Sequence, residues 1–189
     1  MSPVKALLVD LDGTLVETAG ANFEAYSEAL TEFGLSIGRE RFDAIAQGKN
    51  WKQFLPPLLA EAGLKIDPAM VNRRKAEIYA TKMHQTKVNT ALVRLVDMVR
   101  PLSRTALVTT ASAINVQAVI AHHGLGRLFD VIVTGDDVDR HKPDPQAYQL
   151  AARHLDVSPE ECLVIEDSDA GVASAHAFGA MVLRVQTLI

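Results

Sequence analysis

The sequence predicts an α/β fold: a doubly wound parallel sheet with a helical insertion just after its first strand. Three observations carry this reading. Short apolar runs of strand length recur along the chain, and helix-period segments separate the later ones. Between the first two runs, a stretch of about 70 residues holds no strand pattern.

The first run, KALLVD (5–10), is apolar on both faces, as a strand buried between two layers must be, and it ends on Asp10. The insertion follows. Phe23, Tyr26, Leu30 and Phe33 fall at helical spacing, with Gly34 as the stop. Arg39 to Gln47 and Val71 to Met83 also read as helices, and Pro56-Pro57 is expected to interrupt a third. Beyond the insertion, Ala91, Leu92, Leu95, Val96 and Val99 share one helical face. The runs TALVTT (105–110) and FDVIVTG (129–135) come next. Ala147, Leu150, Ala151 and Leu155 form another helical face, and Ser158-Pro-Glu-Glu is a short helical turn leading into CLVIED (162–167). AMVLRV (180–185) closes the list. The sheet-bearing part is thus expected over 1–15 and 87–189, and the insertion over 16–86.

Composition narrows the class. With 189 residues, 48% of them hydrophobic and 22% charged, the chain can bury a substantial core. A net charge of −4 and the lack of a dense Lys/Arg run leave no electrostatic footprint for nucleic acid. No segment approaches the roughly 20 apolar residues of a membrane helix. The first apolar run is only strand-length, so no leader is expected, and the single cysteine, Cys162, excludes an intrachain disulfide and suits a reducing cytosol. A cytoplasmic protein with neither nucleic-acid nor membrane partner is expected.

Ligands of doubly wound sheets bind beyond the carboxyl ends of the strands. There the sequence places Asp10 and Asp12, Thr109 and Thr110, Glu166 and Asp167, and the segment DRHKPDP with Lys142. Buried carboxylates without compensation are costly, so a cation belongs among them. A hard ion such as Mg²⁺ suits the set: Asp10 and Asp167 supply charge, the Asp12 carbonyl a neutral ligand, and Glu166 a contact made directly or through water. A phosphoryl group needs positive and hydrogen-bonding partners. Lys142 offers a point charge, and the Thr110 hydroxyl and nearby backbone amides, that of Ala111 among them, offer donors. Gly13 allows the sharp turn that brings amides toward the phosphate. Asp10, at the strand end, fits a nucleophile that forms an aspartyl phosphate, and Asp12 fits the acid/base that serves the leaving oxygen and then the incoming water.

These residues together resemble the haloacid dehalogenase superfamily. DLDGT (Asp10 to Thr14) is similar to its first motif and Thr110 after ALVT to its second. HKPDP (His141 to Pro145) is similar to the third and EDSDAG (Glu166 to Gly171) to the fourth. The resemblance implies a Rossmann-like core, Mg²⁺ dependence, phosphoryl transfer through an aspartyl phosphate, and a small phosphorylated metabolite as partner. The insertion is similar to the small α-helical cap of the branch holding phosphoglycolate phosphatases and β-phosphoglucomutases. True dehalogenases of the superfamily lack the second aspartate of the first motif, which is present here as Asp12. In the mutases a Gly-x-x-Arg stretch of the cap holds a second phosphate. The similar stretch here, GKNW (Gly48 to Trp51), puts Trp51 in the arginine's place, and Ala113 stands near a mutase lysine. These departures favour a phosphatase, with Lys49 and Trp51 as candidate substrate contacts. A mutase, and a binding module without turnover, stand as the alternatives.

Overall fold

Five parallel strands form the sheet that the apolar runs predict. They are β1 (Ala6–Val9), β4 (Arg104–Val108), β5 (Val131–Val133), β6 (Cys162–Glu166) and β7 (Met181–Arg184), in the spatial order β5-β4-β1-β6-β7. The computed structural model describes residues 3–46 and 48–186. Alternate residues of each strand face opposite layers, and both layers are covered. Leu7, Val9, Leu107 and Ile165 pack on one side with Leu92 and Val96 of α5 (Thr90–Val99) and with Val116 and Val119 of α6 (Ala113–His123). Ala6, Leu8, Ala106 and Val164 pack on the other with Tyr148 and Ala151 of α7 (Gln146–Leu155) and Phe178 of α8 (Asp169–Phe178). Two covered faces explain why the central strands are continuous apolar runs rather than alternating ones. From β1 the chain builds outward to β4 and β5, then returns to β6 and β7 on the other side. The strand order therefore reverses at β1, the place where such sheets leave a crevice at their carboxyl edge.

Four α-helices make up the insertion among the described residues: α1 (Ala19–Glu32), α2 (Arg39–Ala46), α3 (Trp51–Glu61) and α4 (Pro68–Thr81). Ala25, Ala29 and Leu30 of α1 are buried, and that helix packs along α4. Tyr26, Phe42 and Phe54 meet with ring centroids 5.2 to 6.0 Å apart, joining α1, α2 and α3. Gly34 ends the first helix in the left-handed region (φ 84°), as the sequence suggests. Gln47, where the sequence ends the second helix, lies outside the described residues.

Two expectations change. The insertion is bounded by a two-stranded antiparallel ribbon, β2 (Val16–Glu17) and β3 (Lys87–Val88), too short to leave a periodic signal. Pro56 and Pro57 do not interrupt α3, which runs through them. Both prolines are exposed, as are Lys52 and Gln53, whose carbonyls lose their helical partners. Phe54, Leu55, Leu58 and Leu59 bury the opposite face and hold the helix together.

Candidate active site

β1 ends in the crevice and delivers Asp10, 6% exposed, with its backbone N–H donating to the Ile165 carbonyl. Asp10 Oδ1 accepts a 2.7 Å hydrogen bond from Lys142 Nζ. The same ammonium donates to Glu166 Oε1 at 2.7 Å and to the Val108 carbonyl at 3.0 Å, so its three protons are all used. Burial works against the Lys142 charge, yet Asp10, Tyr148 and Glu166 raise it well above the ordinary lysine value. Burial pushes the Asp10 carboxyl well above the usual carboxylate range; Lys142 opposes this, while Glu166 and Asp12 add to it. Asp10 Oδ2 accepts no hydrogen bond from the described residues.

Glu166 is sealed at 0% exposure. Its Oε1 takes Lys142 Nζ and the Tyr148 hydroxyl, and its Oε2 takes the Asp167 N–H, the Ser168 N–H and the Ser168 Oγ. Burial alone would raise its pKa; the Lys142 charge and the Ser168 donors bring it below the ordinary glutamate value. Gly171 makes room for this arrangement, because a Cβ there would lie 1.6 Å from Glu166 Oε1.

Gly13 turns the chain in the left-handed region (φ 85°) and lets Thr14 Oγ1 donate to Asp167 Oδ1 at 2.9 Å. Asp12 is exposed and lines the cavity. Its two carboxylate oxygens are held by the hydroxyls of Thr18 and of Thr109, the latter at 3.2 Å. Carboxylate oxygens of Asp10, Glu166 and Asp167 lie within 4.8 Å of one another. This set fits a divalent cation, since three clustered carboxylates face one ammonium. With five donors on Glu166 already, Asp10 and Asp167 are the carboxylates best disposed to ligate.

A cavity of about 550 Å³ lies above these groups, lined by sheet-edge residues and by the insertion. Thr110, Ala111, Lys49 and Trp51 all border it, as do Asp10, Asp12, Lys142, Glu166 and Asp167. The candidate residues therefore come together. Within the hydroxyl pair, however, it is Thr109 that touches Asp12, and its Oγ1 also accepts the Ala111 N–H at 3.0 Å. Thr110 instead offers its carbonyl to Asn50. Two adjacent threonines at a strand end cannot be told apart from sequence, since either could point inward.

Lys75 also lines the cavity, and the sequence gives it no role. It is 1% exposed, on α4, with its Nζ 4.0 Å from the Tyr79 ring centroid and 4.8 Å from that of Tyr26. No hydrogen bond or ion pair from the described residues reaches it. Burial lowers its pKa from 10.5 to about 7, with nearby Asp12 pulling the other way. A signal existed: a lysine on the same helical face as Val71, Ile78 and Tyr79 interrupts an apolar stripe.

The family model for haloacid dehalogenase-like hydrolases matches residues 7–185, nearly the whole chain. The chain belongs to the haloacid dehalogenase-like hydrolases. It is 29% identical over 182 residues to fructose-1-phosphate phosphatase YqaB of Escherichia coli, covering 96% of each chain. It is 35% identical over 187 residues to hexitol phosphatase A of the same organism, covering 96% of this chain and 82% of that one. The crystal structure of CbbY from Rhodobacter sphaeroides in complex with phosphate superposes with a TM-score of 0.90 at 29% identity, covering 98% of this chain and 87% of that one. With its relatives, this member of the family is a phosphatase, and the Rossmann-like core is the fold they share. Among the described residues no helix is long and apolar enough to cross a membrane.

Proposed function

We propose that this phosphatase hydrolyses a small sugar or polyol phosphate monoester in the cytoplasm, with Mg²⁺ as cofactor and an aspartyl phosphate on Asp10 as intermediate. The observation that carries the reading is the state of Asp10. Lys142 pins one carboxylate oxygen, and the other is left without a donor at the floor of a cavity shared with Asp12.

Residues 1–15 and 87–189 act as the catalytic core and 16–86 as a cap. Asp10, Asp167 and the Asp12 carbonyl would hold Mg²⁺, which when bound supplies positive charge to the phosphoryl oxygens. Glu166 serves mainly to hold Lys142 in line. Asp10 Oδ2 attacks phosphorus, the bond from phosphorus to the ester oxygen breaks, and Asp12 gives its proton to the departing oxygen. Asp12, now a carboxylate, takes a proton from water as that water attacks the acyl phosphate, and inorganic phosphate leaves with Asp10 restored. Thr18 and Thr109 fix the Asp12 carboxyl for both proton transfers. Thr110, Ala111, Lys49, Trp51 and Lys75 form the walls against which the rest of the substrate rests. The similarity to phosphatases of fructose 1-phosphate and hexitol phosphates supports a polyol there. Trp51 and Ala113 weigh against the mutase alternative, since they stand where the resemblance puts its extra cations.

The test is phosphate release from fructose 1-phosphate, hexitol phosphates, glucose phosphates and phosphoglycolate. Mg²⁺ is compared with EDTA, and the native chain with Asp10→Asn. Release that requires both Mg²⁺ and Asp10 is expected, ranked in favour of sugar or polyol esters. Release that persists in EDTA, or in Asp10→Asn, overturns the mechanism.

A further inference from the structure

Asn50 sits where α3 meets the sheet edge, 2% exposed, and each of its polar groups is committed. Its N–H donates to Gln53 Oε1 at 2.8 Å, and its Oδ1 caps α3 by accepting the Lys52 N–H at 3.1 Å. Its Nδ2 leaves the insertion altogether and donates to the Thr110 carbonyl at 2.8 Å, across 60 positions of sequence. The seat is shaped for it. Gly135 donates its N–H to the Ala111 carbonyl at 2.7 Å on the far side of the same loop. A Cβ on Gly135 would lie 2.3 Å from the Thr110 oxygen and 2.5 Å from Asn50 Nδ2, so any other residue there closes the seat.

The loop gripped in this way carries Thr109, whose hydroxyl holds one oxygen of Asp12. Thr18, at the entry to α1, holds the other. Asp12 is therefore held from the sheet edge and from the insertion by bonds of its own, and Asn50 joins the same two parts at a separate point.

We propose that Asn50 is a positioning residue, a latch that seats the cap on the core through the Thr110 carbonyl and holds Lys49 and Trp51 over the substrate. This rests on reading the insertion as a cap. The expected consequence is a split in the kinetics. Breaking the latch disfavours the closed enzyme before substrate binds, so KM rises, while turnover of the closed complex is nearly unchanged.

Asn50→Asp separates the latch from the helix cap. Aspartate caps a helix as well as asparagine does, but at about pH 8 its ionised carboxylate turns the donor into an acceptor facing the Thr110 oxygen. Gly135→Ala attacks the same seat from the core side. Trp51, the single tryptophan, is half-buried beside the latch and reports opening without any ligand. Both variants are expected to raise acrylamide quenching of Trp51 about threefold and KM for fructose 1-phosphate about fivefold, with kcat within about twofold. The melting temperature of Asn50→Asp stays within about 2 °C of the native chain. The double variant behaves like either single one, since one bond is broken twice. Native-like quenching in both variants overturns the latch. So does a loss of kcat that follows a fall in melting temperature. The quenching arm needs no turnover, so a failed phosphatase reading would not be mistaken for a failed latch.

Discussion

Replacing Lys75 with methionine removes a buried ammonium while roughly keeping its volume, and it should stabilise the protein. The folded lysine titrates at about 7 against 10.5 for a free side chain. Over that window the unfolded chain holds a proton that the folded one has lost, so stability rises with pH from about 7 toward 10. Below pH 7 the lysine is charged in both states and the full penalty applies, about 5 kcal/mol. The faces of Tyr26 and Tyr79 return part of this, about 1 kcal/mol each, to the cation. At about pH 9 the folded lysine is neutral, and the remaining penalty is that of losing its proton, about 2 kcal/mol. Lys75→Met is therefore expected to gain about 3 to 5 kcal/mol at about pH 6 and about 2 kcal/mol at about pH 9. Urea denaturation of both proteins at the two pH values measures the gains, and titrating groups distant from Lys75 cancel in the comparison. The gain should be accompanied by a loss of about tenfold or more in kcat/KM for sugar phosphates, the usual trade at a site kept polar for its ligand. A variant no more stable than the native chain at about pH 6, or a gain that does not change with pH, would refute the reasoning.

Thr109→Ala should cost about 10- to 100-fold in phosphate release by freeing Asp12, whereas Thr110→Ala should stay within about threefold; equal losses would return the role to Thr110. Gly171→Ala should displace Glu166 from its donors and cost about 2 to 4 kcal/mol in urea unfolding, despite the better helix propensity of alanine. Lys142→Met leaves Asp10 and Glu166 facing each other without a cation. It should lose about 3 kcal/mol or more near neutral pH and recover on acidification as the carboxyls protonate, readable from melting curves across pH. Asp10→Asn should remain folded and lose about 10³-fold or more in phosphate release, assayed with Mg²⁺ present.

The sheet was legible in the sequence because burial on both faces forces strands such as Ala6–Val9 and Cys162–Glu166 to be apolar runs, with a carboxylate just after the first (Asp10) and at the end of the second (Glu166). The acid-rich edge was legible too: Asp10, Asp12, Lys142, Glu166 and Asp167 each follow a strand or stand in a Pro-bounded loop at that edge. The ribbon of β2 and β3 was not, since two residues carry no period. Pro56 and Pro57 misled because proline's effect on a helix depends on which face meets water.

The sequence by itself determined the α/β architecture, the site of the insertion, and the carboxylates and lysine at the strand ends, all of which follow from local patterns. Only the tertiary structure decided which of those groups touch one another. Glu166 is surrounded by five donors, Thr109 rather than Thr110 reaches Asp12, Lys75 faces the cavity between two tyrosines, and Asn50 bridges to Thr110. These are contacts between residues far apart in the chain. Their partners are set by how the layers pack, and no local pattern records which side chain a neighbouring layer will bring into reach.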